Sequence, residues 1–134
     1  MGLILQQKKM GRSNFVKGIT MVLQQGEKVH VITRRLFDGD LRRHFVGEIK
    51  AVADGIARVE GYVFVYDSGI SGFVKREEIR TRIVSISDFG QVINVIPANV
   101  NLDNLVYKFT PQQRLVVTDN ADFHLDINEF GTRN

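Results

Sequence analysis

The strongest indication of the fold is a pair of β-rich runs that flank Asp54-Gly55 within residues 42–67, RRHFVGEIKAVADGIARVEGYVFVYD. Asp-Gly between two such runs is the strongest short-range signal for a tight β-hairpin turn. The sequence therefore predicts that Arg42 to Ala53 and Ile56 to Asp67 pair as antiparallel strands.

The register of this hairpin has two solutions. A two-residue loop places Gly47 opposite Tyr62, so that an aromatic ring covers a glycine, which is a known stabilising arrangement in sheets. A three-residue loop places Glu48 opposite Glu60. Because like charges directly opposed destabilise a sheet, we expect the first register.

Further β-rich runs are punctuated by turn residues along the rest of the chain. They lie at residues 28–37, 79–87, 91–96, 114–118 and 122–127. Residues 101–109 fit either a helix capped by Asn101 or a strand, and the pattern leaves both open. About seven short strands with hairpin turns are typical of an all-β protein, mainly an antiparallel barrel or sandwich.

One amphipathic helix is predicted near the N-terminus, from Ser13 to Gln25. Its apolar residues recur at helical spacing, Ser13 is a good N-cap, and Gly26 is a good residue just past the end. We interpret residues 1–12 as a tail or a short added strand, and residues 13–130 as a single mainly-β domain.

Composition excludes several kinds of chemistry. The chain of 134 residues contains no Cys, which excludes disulfides, thiolate metal sites and thiol nucleophiles. No run approaches the roughly 18 apolar residues of a membrane span, and no secretory core is present near the N-terminus. We therefore expect a cytoplasmic protein that contacts no membrane and needs no cofactor.

Charge is unevenly distributed. Residues 1–82 contain 15 Lys/Arg and 9 Asp/Glu, a net +6, whereas residues 83–134 contain 3 and 6, a net −3. Such asymmetry indicates either an anionic partner for the first half or head-to-tail self-association. An ordinary solvated surface would also show net charges of this size in its two parts.

A surface that combines basic residues with exposed aromatic rings suits single-stranded nucleic acid. The basic side chains contact the phosphates along the backbone, and the rings stack on the bases. Arginines 34, 35, 42 and 43 flank the Asp38-Gly39 turn, and a second basic group lies at residues 75–82. The candidate nucleic-acid-binding residues are Arg34, Arg35, Arg42, Arg43, Lys50, Arg58, Tyr62 and Tyr66. Interleaved acidic residues leave the alternative that these charges only solvate a sheet edge.

The histidines 30, 44 and 124 form no recognisable catalytic or metal-binding motif. Asp122, His124 and Asp126 alternate and would share one face of a strand, which makes them a weak candidate metal site. The opposite face carries apolar residues, so the polar three are more simply its solvated side.

The order of elements resembles a known family over residues 13–66. A capped helix, a Val29-x-Val31 strand, Asp38-Gly39 and then residues 45–52, FVGEIKAV, are similar to the first half of the Sm/Hfq-like small barrel. The resemblance implies a ring-forming protein that binds RNA, and it assigns no individual residue.

Three functions follow as hypotheses. The first is a non-catalytic module that binds a protein partner or itself as a homo-oligomer, because no complete catalytic set accompanies the core pattern. The second is a small barrel that binds RNA or DNA. The third is an enzyme or small-ligand barrel whose site is assembled from separate strands.

Overall fold

The computed structural model describes residues 15–16, 19–20, 22–37, 39–40, 42–88 and 90–127. The strands are β1 (Phe15–Val16), β2 (Ile19–Thr20), β3 (Lys28–Thr33), β4 (Arg43–Ala53), β5 (Ile56–Asp67), β6 (Gly72–Lys75), β7 (Arg80–Ser85), β8 (Gln91–Ile96), β9 (Val106–Phe109), β10 (Leu115–Thr118) and β11 (His124–Asp126). Every strand pairing is antiparallel. The predicted all-β class is confirmed.

The main sheet has the strand order β6-β5-β4-β3-β8, with β7 also paired to β5. The first half of the long strand β5 pairs with β7, and its second half pairs with β6. Val84 of β7 and Ile93 of β8 pack against the same core although they lie at opposite ends of this order, so the sheet curves around that core. Among the described strands no pairing joins the two ends, and the sheet is not a closed barrel.

Two apolar clusters cover the two faces of the main sheet. The inner cluster is built from buried residues of β3, β4, β5 and β7, together with a turn residue: Leu23, Val29, Val31, Phe45, Ile49, Ala57, Val59, Val63 and Val84. The alternation in β3, β4 and β5 places these side chains on the concave face.

The outer cluster joins the main sheet to a second sheet with the order β11-β10-β9. Its buried members are Val46, Phe64, Ile96, Val100, Leu105, Val117 and Ile127. The β-rich runs predicted at residues 114–118 and 122–127 contain β10 and β11, which pair with Val117 opposite Leu125. The second sheet therefore lies as an additional layer over part of the convex face.

The register of the β4–β5 hairpin combines the two predicted solutions. Next to the turn, Ala53 pairs with Ile56, which is a two-residue loop. A β-bulge at residue 50 then shifts the pairing, so that Gly47 faces Gly61 instead of Tyr62. The preferred register was therefore wrong beyond the bulge, because one extra residue in one strand changes every later pair.

The predicted N-terminal helix from Ser13 to Gln25 is wrong where the structure describes it. Phe15–Val16 and Ile19–Thr20 pair as two short strands, and residues 22–26 form bends and a turn. Gly18 and several β-branched residues lower the helix propensity of this segment, and its apolar spacing did not outweigh them. Ser13 and the proposed tail, residues 1–12, lie outside the described residues.

Residues 101–109 contain both of the elements that the pattern allowed. A 3-10 helix, Leu102–Asn104, begins after Asn101, whose side chain accepts a hydrogen bond from the Asp103 amide, and β9 follows it. Strand β6 was not predicted, since Gly72 and the short length of the run hid it.

Candidate functional site

An open groove of about 640 Å³ lies at one end of the main sheet. It is formed by the segment after β3, the beginning of β4 and the connection between β7 and β8. The lining residues are Thr33, Arg34, Arg35, Leu36, Gly39, Asp40, Arg43, His44, Phe45, Val63, Arg82, Asp88, Gly90 and Gln91. Four arginines and two aspartates give the groove a net charge of +2.

The arginines reach the groove from three separate segments. The backbone amide of Arg34 donates to the Gly90 carbonyl at 2.6 Å, which ties the segment after β3 to the β7–β8 connection. The Arg82 guanidinium lies 5.7 Å from the centre of the Phe45 ring. An arginine over an aromatic face is attracted by the ring, so Arg82 is held above the apolar floor.

Leu36 and Phe37, which follow Arg34 and Arg35, have bonded backbone amides and exposed apolar side chains. The Asp40 carboxylate accepts hydrogen bonds from the amides of Leu36 and Phe37 at 3.2 and 3.1 Å. The side chains of Leu36 and Phe37 are 80% and 72% exposed. Two adjacent apolar side chains are thus directed into solvent at the rim of a basic groove.

Gln91 lines the same groove and carries an unusual polar atom. Its Oε1 is buried and has no hydrogen-bond partner, the single such side-chain atom found among the described residues. Buried acceptors without partners are rare in folded proteins and often mark ligand or catalytic sites.

The structure divides the predicted nucleic-acid residues among three places. Arg34, Arg35 and Arg43 line the groove, together with Arg82 of the second basic group. Lys50 lies near the far end of the β4–β5 hairpin, where its Nζ is 3.5 Å from Glu48 and 3.6 Å from Glu60.

Arg58 does not line the groove, and strand alternation places it on the opposite face of the sheet from the buried Ala57 and Val59. It pairs with Ala51 on one side and with Ile83 on the other, and its side chain is exposed. Along β4, the seven residues from Arg43 to Lys50 span about 23 Å at the usual strand rise. Lys50 is therefore too far from Arg43 to act with it in one short site.

Tyr62 and Tyr66 lie on the convex face and are already engaged there. The Tyr62 hydroxyl donates to Asp103 Oδ1 at 2.8 Å, and this bond raises the pKa of Tyr62. Lys75 Nζ lies 4.1 Å from the centre of the Tyr62 ring.

On the same face, the Arg42 guanidinium lies 4.9 Å from the centre of the Tyr66 ring. The edge of Tyr66 meets Phe73, with ring centres 5.4 Å apart. Arg42 and both tyrosines thus stabilise the contacts of the outer layer, and they do not form the predicted aromatic surface beside the groove.

A buried hydrogen-bonded chain, which the sequence did not reveal, lies between the two sheets. The Tyr107 hydroxyl of β9 is 2.9 Å from His30 Nε2 and 2.7 Å from His44 Nδ1. Asn94 Nδ2 is 3.3 Å from His30 Nδ1. Phe73 stacks on Tyr107 and on His44 with ring centres 4.6 and 4.5 Å apart.

The hydrogen-bond donors assign the tautomers of this chain. Because the Asn94 amide donates to Nδ1 of His30, the proton of His30 is on Nε2 and is donated to the Tyr107 oxygen. The Tyr107 hydroxyl then donates to Nδ1 of His44. These three hydrogen bonds, from Asn94 to His44 Nδ1, are all formed while both imidazoles are neutral.

Burial keeps the histidines neutral. Loss of solvation, followed by repulsion from His44, lowers the pKa of His30 to about 3. Loss of solvation, followed by the charge of Arg42, lowers the pKa of His44 to about 4. Burial also raises the pKa of Tyr107 well above its ordinary value. This chain is a neutral connection between the sheets at ordinary pH.

The candidate metal residues lie at β11. Asp126 forms an ion pair with Arg114, whose Nε is 2.9 Å from Oδ2, and His124 is exposed. Asp122 lies in the turn before the strand. Within the part of the chain that the structure describes, no group of three or more His, Cys, Asp or Glu residues could hold a metal ion.

Comparison of the chain with protein-family models, with curated proteins and with solved structures finds no match. The resemblance of residues 13–66 to the Sm/Hfq-like barrel therefore remains a prediction from sequence. Nor do the described residues include a helix with the length and apolar character needed to cross a membrane.

Proposed function

We propose that this protein is a non-catalytic β module that binds nucleic acid in the basic groove. The observation that carries the proposal is the convergence of Arg34, Arg43 and Arg82 on one concave surface with an apolar floor. Phosphate contacts by arginine provide most of the affinity of such complexes and depend on salt.

The test is the binding of a labelled oligonucleotide by fluorescence anisotropy as a function of salt. If three arginines contact three phosphates, the logarithm of the association constant falls with log salt with a slope of about −2 to −3. Arg43→Ala should reduce the magnitude of this slope by about 0.7 to 0.9.

Arg58→Ala is the matched control, since Arg58 is an exposed arginine of the same sheet that does not line the groove and lies on the opposite face. It should leave both the affinity and the slope unchanged. The proposal is wrong if no binding occurs at 50 mM salt, or if Arg58→Ala and Arg43→Ala weaken binding equally.

A second candidate function is self-association or protein binding through β8. Among the described strands β8 pairs only with β3, and it carries no charged residue. Val92 and Val95 are 46% and 55% exposed. An uncharged open edge is a template for pairing with another strand.

Sedimentation equilibrium tests this second function. A homo-oligomer formed through β8 should dissociate in Val95→Lys, because a charge at an edge opposes strand pairing. Ile79→Lys, at an exposed position between β6 and β7, is the control and should sediment as the unaltered protein does. If the unaltered protein stays monomeric at high concentration, self-association is excluded.

A further inference from the structure

The exposed loop tip requires an explanation beyond the groove itself. The Phe37 side chain is 72% exposed, and its backbone amide donates a hydrogen bond to the Asp40 carboxylate. The Phe37 ring is therefore available to contact a partner. Arg34 and Arg35 lie three and two residues before it, and Arg43 lies at the start of the next strand.

We propose that Phe37 stacks on an unpaired base and thereby makes the groove selective for single strands; this inference rests on the proposed nucleic-acid function. Stacking on aromatic side chains accepts any base, because every base has an aromatic face. In a duplex the bases are already stacked on one another, and the ring would find no free face. Leu36, which lines the groove beside Phe37, would contact the same nucleotide.

The shape of the basic surface favours a single strand over an anionic membrane. Exposed Leu36 and Phe37 beside arginines would also suit insertion into lipid headgroups. However, Arg34, Arg43 and Arg82 line a concave groove, which a flexible polyanion can enter and a flat bilayer cannot. Arg82 is, in addition, held over Phe45 at the floor of the groove.

A tryptophan in place of Phe37 reports directly on the contact, because the chain contains no Trp. In Phe37→Trp, a mixed-sequence single-stranded oligonucleotide should quench the fluorescence, and the duplex of the same sequence should quench it less at equal concentration. Vesicles of phosphatidylcholine and phosphatidylserine should leave the emission unchanged. A blue shift with vesicles, without quenching by oligonucleotide, would overturn the proposal in favour of a membrane surface.

Phe37→Ala separates stacking from charge. We expect it to weaken single-strand binding by about 5- to 150-fold, while binding to heparin, a polyanion without bases, stays the same. Ile79→Ala is the control for loss of an exposed apolar side chain, since Ile79 is 62% exposed outside the groove.

The outcomes distinguish this inference from the function on which it rests. If Phe37→Ala binds single strands normally while Arg43→Ala does not, the stacking role is wrong and the nucleic-acid function stands. If the unaltered protein binds no oligonucleotide, both are wrong. If Phe37→Ala weakens heparin binding as much as single-strand binding, the effect is not stacking and the inference fails.

Discussion

At Gly61 the two long strands approach so closely that a side chain cannot fit. A Cβ at this position would lie 2.5 Å from Gly47 Cα and closer still to the Val46 carbonyl oxygen, and these are backbone atoms that cannot rotate away. Gly61→Ala should therefore lower the free energy of unfolding by about 3 kcal/mol, the upper end of ordinary overpacking. Urea unfolding measures the change.

Gly72→Ala is the control for this substitution. Gly72 also lies in a strand of the main sheet, but a Cβ there would meet its nearest neighbour, the Ile70 carbonyl oxygen, at an ordinary 3.8 Å. We expect a change within about 1 kcal/mol. Equal losses for the two variants would show that the close approach of Gly47 and Gly61 is not a constraint on this hairpin.

Lys50 explains how the sheet tolerates Glu48 directly opposite Glu60. Because residue 50 is the bulged residue, its ammonium group lies between the two carboxylates instead of opposite Arg58. Lys50→Met should destabilise the protein by roughly 0.5–1 kcal/mol at low salt, a small effect because all three groups are partly exposed.

Salt and a second substitution test this role of Lys50. The loss in Lys50→Met should shrink as salt screens the repulsion between the glutamates. Adding Glu60→Gln should restore stability, because it removes that repulsion without restoring the lysine. A loss that is independent of salt and persists in the double variant would indicate packing of the lysine stem instead.

At the scale of elements, the strands of the central hairpin follow from sequence to within one residue, because Asp54-Gly55 and the flanking alternation agree. The register does not follow, since no local sequence signal marks the bulge at residue 50. Strand alternation places Tyr62, Phe64 and Tyr66 on one face. It could not show that β9–β11, which lie some forty residues further along the chain, cover part of that face.

The Tyr107 hydroxyl of β9 bonds to two buried histidines of the main sheet. Tyr107→Phe preserves the ring stacking with Phe73 but removes the hydrogen bonds to His30 and His44. Buried groups left unsatisfied cost about 1–3 kcal/mol, so we expect a loss of stability in that range by urea unfolding. Tyr66→Phe, whose ring packs on Phe73 outside this chain, should change stability much less.

In the whole molecule, the groove brings together segments whose proximity cannot be predicted from local sequence patterns. Arg34 and Arg43 were predicted to lie together because a turn separates them, and the structure places both in the groove. Arg82 is far from them in sequence and reaches the groove because β7 and β8 lie at opposite ends of a curved sheet. The histidine–tyrosine chain was hidden for the same reason, since its members come from β3, β4 and β9.

The stability of the whole fold should fall as pH decreases below about 6.5, the pKa of an unfolded histidine. His30 and His44 have folded pKa values of about 3 and 4, so the unfolded chain binds protons more readily than the folded chain. Stability is therefore fully present above pH 6.5 and is lost as the pH falls toward 4. Between pH 7 and pH 5 each histidine should remove about 2 kcal/mol from the free energy of unfolding.

This pH range separates the two histidines from the carboxylates, which titrate mainly at lower pH. Removing one of them in His44→Gln should reduce the loss between pH 7 and pH 5 by about half, because only His30 then resists protonation. His124→Gln replaces an exposed histidine of β11 and should leave the slope unchanged. If His44→Gln retains the full slope, protonation of the buried chain is not what limits stability in mild acid, and the coupling of the two sheets through neutral imidazoles is wrong.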